Sequence, residues 1–113
     1  DRLIVDDDIL FLKSLARILK LRSCDTATAE DGFKAIEKVR EKRFDYILMD
    51  IVMQGMNGVE TYKEIKGISP QAKVIMMTAY SVEDLVREAL DEGAYGVVYK
   101  PPDIDKILGL LKG

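Results

Sequence analysis

Residues Tyr46–Gly58, YILMDIVMQGMNG, set four apolar side chains in a row, then a bare carboxylate, then a Met-rich loop with two glycines. An apolar run of this length reads as a strand covered on both faces. Asp50 ends it for one of two reasons: the chain has reached water, or the acid is a working group. The rest of the chain decides between them.

Working outward, "RLIV" (Arg2–Val5) is a second apolar run and stops at Asp6-Asp7-Asp8. "AKVIMMTA" (Ala72–Ala79) and "AYGVVYK" (Ala94–Lys100) are two more, the latter broken by Pro101-Pro102, and "SCDTATA" (Ser23–Ala29) is weaker. Between them apolar residues recur at helical spacing. Leu12, Leu15, Ala16 and Leu19 follow a cap at Asp8. Phe33, Ile36 and Val39, with the stem of Arg40, follow Asp31-Gly32. Val59, Tyr62, Ile65 and Ile68 form a third set, closed by Gly67 and Ser69-Pro70. Val82, Leu85, Val86, Ala89 and Leu90 follow a cap at Ser81 and end at Gly93, and Ile104, Ile107, Leu108 and Leu111 follow a cap at Asp103. Strands alternating with helices, apolar on both faces, predict a parallel sheet with helices on each side.

The 113 residues fit one domain, and 48% hydrophobic content supplies a core. A net charge of −3 argues against nucleic acid as a direct ligand. No apolar stretch is long enough to span a bilayer, and the single cysteine, Cys24, reads as a buried structural thiol of a reducing, cytoplasmic setting. There is no histidine. Chemistry must therefore run on carboxylates, hydroxyls, lysine and a hard cation.

In an open parallel sheet, ligands sit beyond the carboxyl ends of the strands, where strand order reverses. Asp6, Asp7, Asp8, Asp50, Thr78 and Lys100 all fall at such ends. Each alone is unremarkable, and Asp8 reads as a cap. Together they are costly, since two like charges about 4 Å apart repel by on the order of 4 kcal/mol at an effective dielectric near 20. A cation or a lysine must offset that, and an oxygen-only ligand set suits Mg²⁺.

"LIVDDD", "YILMDIVMQGMNGVE", "VIMMTAY" and "GAYGVVYKPPD", in order and covering essentially the whole chain, resemble the receiver domain of two-component response regulators. The resemblance implies a single domain over residues 1–113 with a flavodoxin-like, doubly wound five-stranded sheet of order 2-1-3-4-5. It implies Asp50 as phospho-acceptor, with Mg²⁺ held by Asp6, Asp7, Asp50 and the carbonyl of Val52. Thr78 and Lys100 would hold the phosphoryl oxygens, Tyr95 would be the aromatic switch, and the Lys100–Pro101 bond would be cis. The phosphodonor would be a histidine kinase or phosphotransfer protein. Output would run through the helix 4–strand 5–helix 5 surface to an attached or separate effector or a phosphorylation-dependent homodimer. Catalysis would be limited to the domain's own phosphorylation and dephosphorylation.

Three features depart from the family pattern or refine it. Gln54 stands where a proline is common and touches no catalytic role on this reading. Ile9 and Leu10 replace polar residues and are extra core, a harmless exposed pair, or an apolar docking spot for the donor protein beside the active site. Val52 and Tyr80 would flank the path of a hydrolytic water without orienting it, so a long-lived acyl phosphate is expected. Asp1 is not methionine and the last helix ends soon after Leu111, as in a fragment of a longer regulator. The rivals are a phosphatase resembling the haloacid dehalogenases, built on Asp6-x-Asp8, a flavin-binding module, and a degenerate receiver that only binds partners.

Overall fold

The computed structural model describes residues 1–79 and 82–112. Tyr80 and Ser81, the expected water-path residue and helix cap, lie outside them. Strands β1 (Arg2–Val5), β2 (Ala27–Ala29), β3 (Tyr46–Asp50), β4 (Lys73–Thr78) and β5 (Gly96–Tyr99) alternate with helices α1 (Ile9–Leu21), α2 (Gly32–Glu41), α3 (Gly58–Ile68), α4 (Glu83–Asp91) and α5 (Ile104–Leu111). All strand pairs are parallel, in the order β2-β1-β3-β4-β5. The direction of winding therefore reverses between β1 and β3, the expected place for a ligand.

Side chains alternate between two cores, as the two-residue period of a strand requires. Ile4, Leu48, Ile75, Met77 and Val98 meet Leu12, Leu15 and Leu19 of α1 and Ile107, Leu108 and Leu111 of α5. Leu3, Val5, Ile47, Met49, Val74 and Met76 meet α2, α3 and α4 through Ile36, Val39, Tyr62, Ile65 and Ala89. Covering both faces explains why the interiors of β3 and β4, Ile47–Met49 and Val74–Met77, carry no polar residue. Cys24 is fully buried in the first core, as a structural thiol should be.

Helix entry points match the acids read as caps. Asp8, Asp31 and Asp103 each accept backbone N–H bonds of the following turn. Asn57 and Glu60 add a reciprocal capping box at α3.

Helix phase differs from expectation in α2 and α4, and Ile68 at the end of α3 is exposed as well. Phe33 is 58% exposed, and Arg40 is also exposed; the inward stripe of α2 is Gly32, Ala35, Ile36 and Val39. Leu90 likewise turns outward while Ala89 is buried. One residue is about 100° of helix, enough to move a side chain from core to water. Ile9 and Leu10 are exposed, which removes the reading of them as core.

Candidate functional site

The carboxyl ends of β1 and β3 are neighbours, so Asp6 and Asp50 are brought together beside Asp7. Carboxylate oxygens of the three lie within 4.8 Å of one another. Asp6 is fully buried and Asp50 nearly so. Lys100, just past β5, crosses β4's end to meet them: Nζ donates to Asp6 Oδ2 at 2.8 Å and stands 3.6 Å from Asp50 Oδ2. Its peptide bond to Pro101 is cis. Thr78 closes β4 and is fully buried, and its carbonyl accepts from the Lys100 backbone N–H at 2.7 Å.

Burial pushes the Asp50 carboxyl up, the Asp6 charge adds to this, and Lys100 only partly opposes it, leaving a pKa of about 7. Desolvation by itself would lower Lys100, but its hydrogen bond to Asp6 and the charges of Asp50 and Asp6 outweigh that and raise it. The pocket thus holds more negative charge than its one lysine neutralises. Three clustered carboxylates, with no nitrogen or sulfur ligand among them, form a donor set that could hold a hard divalent cation.

The loop after β3 is shaped around this pocket. Gly58 opens α3 against the strand end; a Cβ there would lie 2.3 Å from the Asp50 carbonyl oxygen and 2.8 Å from Ile51 Cα. Its need is close approach, and the left-handed turn falls to Gly55 at φ +79°. Val52 stands two residues past Asp50 with its side chain half exposed.

Two expectations are corrected. Tyr95 does not reach the site. It precedes β5, at the amino end of the sheet, where its ring meets Tyr46 edge-on at 6.1 Å and Lys73 Nζ lies 5.1 Å from it. Parallel strands place their beginnings and ends at opposite edges, so no aromatic at that position can follow Thr78. Gln54 is not idle: its backbone N–H donates to Asp7 Oδ2 at 3.0 Å, a bond proline could not make.

One contact escaped the sequence reading altogether. The Lys100 ammonium lies 4.3 Å from the centroid of the Phe11 ring. The only signal was an aromatic three residues after a capping acid, which apolar periodicity assigns to packing. Asp8, the second acid of the phosphatase-like Asp6-x-Asp8, turns away to cap α1 through Phe11 N.

Strand order and edge pocket define a flavodoxin-like α/β protein with an acidic site at its switch point. Sequence comparison narrows this: a family model for the response regulator receiver domain matches residues 3–112, and the chain belongs to that family. It is 48% identical to transcriptional regulatory protein ZraR of Klebsiella oxytoca over 107 residues, covering 95% of this chain and 24% of that protein. It is 34% identical to chemotaxis protein CheY of Bacillus subtilis, covering 95% of this chain and 91% of that one. The CheY-like receiver domain structure from Methanospirillum hungatei superposes with a TM-score of 0.92 at 29% identity, over 98% of this chain and 89% of that one. The chain thus spans about a quarter of the ZraR relative. Receiver domains are signalling domains of two-component systems, take phosphate from histidine kinases, and are not classical enzymes. Among the described residues no helix is long and apolar enough to cross a membrane.

Proposed function

We propose that residues 1–113 form one receiver unit in which Asp50 accepts a phosphoryl group from a histidine kinase or phosphotransfer protein. The observation that carries this reading is the pocket itself: Lys100 set between a buried Asp6 and Asp50, with Asp7 alongside. An Asp50 carboxylate oxygen attacks phosphorus. The bond from phosphorus to the donor nitrogen breaks, its electron pair stays on that nitrogen, and an acyl phosphate forms. Asp50 at the strand end supplies the nucleophile, and the Lys100 ammonium and Thr78 hydroxyl take up charge on the phosphoryl oxygens. Mg²⁺, held by the carboxylates of Asp6, Asp7 and Asp50 and the carbonyl of Val52, would neutralise charge on the transferring group. The donor histidine lies outside residues 1–113, since this chain has none.

The change is passed on through Thr78, whose carbonyl is bonded to the start of the β5–α5 connection. Its reach is the α4–β5–α5 face, where an effector or a second copy binds. The ZraR relative is named a transcriptional regulatory protein and is about four times as long as the chain, which supports an attached output in the whole protein. Thr78→Ala still becomes phosphorylated, more slowly than the parent, and loses the chemical-shift response across that face.

Incubation with acetyl phosphate or phosphoramidate and Mg²⁺, followed by intact mass, tests the acceptor. The parent gains one phosphoryl group and Asp50→Asn gains none. Equal labelling of the variant would overturn the assignment.

A further inference from the structure

Phe11, Lys100, Asp6 and Asp8 close a ring of contacts around the pocket wall. Asp6 Oδ1 accepts from the Asp8 N–H at 2.9 Å, and Asp8 Oδ1 accepts from the Phe11 N–H at 3.1 Å. The Phe11 ring then faces the Lys100 ammonium at 4.3 Å, and Lys100 returns to Asp6 Oδ2 at 2.8 Å. The same capping bond that starts α1 therefore sets where the ring stands. The Lys100 side chain is 17% exposed, so little water remains to hold its charge.

We propose that Phe11 is a positioning residue for Lys100, its ring face holding the ammonium over the acid pocket between Asp6 and Asp50. This deepens, and rests on, the reading of Asp50 as phospho-acceptor. Lysine carries a point charge on a flexible four-carbon stem, and carboxylates alone would fix it to one of them. An aromatic face attracts a cation without demanding one hydrogen-bond direction. The ammonium can then shift from Asp6 toward an arriving phosphoryl oxygen without leaving the ring for water. A leucine at this position would fill space but offer no such face.

The test is a double-mutant cycle on phosphorylation by acetyl phosphate at saturating Mg²⁺, read by intact mass over incubations long enough for the slowest variant. Phe11→Leu should slow the parent about three- to tenfold, and Phe11→Tyr should stay within about twofold of it. In a Lys100→Met background Phe11→Leu should change nothing. Equal slowing in both backgrounds would mean a packing role only, and no slowing in either would mean no role; both overturn the proposal. A second measurement needs no phosphodonor: the Lys100 Hε resonances should lie upfield under the ring and move back in Phe11→Leu. Absence of that shift in a parent that is phosphorylated normally would overturn the positioning role alone. A parent that takes no phosphoryl group would overturn the acceptor reading and the positioning role with it.

Discussion

A lysine lies against an aromatic ring at both edges of the sheet. At the amino edge Lys73 sits 5.4 Å from the Tyr46 ring and 5.1 Å from Tyr95, on the exposed side of the molecule. At the carboxyl edge Lys100 sits over Phe11 while also facing a buried Asp6 and Asp50. The pairing is the same, and its consequences are not. An exposed ammonium keeps most of its hydration, so the ring adds about 0.5–1 kcal/mol. A desolvated one among carboxylates governs their charge and the access of anything that binds them. Cation and ring together do not mark a site; uncompensated buried charge beside them does.

Replacing each lysine should separate the two edges most strongly. Lys100→Met leaves Asp6 buried without its partner, and should cost about 2–3 kcal/mol of unfolding free energy at neutral pH, read by urea titration. Lys73→Met should cost under about 1 kcal/mol. Similar losses at both positions would mean that the two edges do not differ in this respect.

Titration of Asp50 sharpens it next. With its folded pKa near 7 and an ordinary value in the unfolded chain, the folded state holds the extra proton between about pH 4 and 7. Metal-free stability must then fall as pH rises through that window, with the penalty fully present above it. Asp50→Asn should therefore be more stable than the parent by about 1–2 kcal/mol at pH 8, after discounting for screening by solvent, and equal to it near pH 4. Urea titrations across pH in chelator check the sign. No pH-dependent gain would mean that Asp50 is not strained by its neighbours.

A smaller effect separates backbone from side chain in the loop beside the pocket. Gln54→Pro removes the N–H that holds Asp7 and should weaken Mg²⁺ binding about three- to tenfold by calorimetry. Gln54→Ala keeps the N–H and should leave Kd unchanged. The smallest change belongs to the amino edge: Tyr95→Leu should cost about 0.5 kcal/mol and leave phosphorylation and the α4–β5–α5 response as in the parent. A lost response would restore Tyr95 to signalling by some route other than contact with Thr78.

Much of the architecture was legible before any coordinates. Strands apolar on both faces require two helical layers, and acids that stop such strands collect at one edge once the strands are parallel. That reasoning brought Asp6, Asp7, Asp50, Thr78 and Lys100 to a common edge, where the structure has them. The switch role that the family resemblance implied for Tyr95 does not fit: Tyr95 lies just ahead of Gly96, at the start of β5, and so at the opposite edge from Thr78. Apolar periodicity also missed helix phase, at Phe33, Leu90 and Ile68.

The sequence by itself determined the layers, the class of the fold and the kind of groups at its working edge, because hydrophobic period and polarity are local properties of the chain. Only the tertiary structure decided which groups touch. Lys100 and Asp6 are 94 residues apart in the chain, and their 2.8 Å bond depends on the packing of whole elements. The Phe11 ring over Lys100 and the Gln54 N–H on Asp7 depend likewise on where α1 and the β3–α3 loop come to rest. Local pattern limits what a residue can do; the angle and depth at which elements pack select its partner.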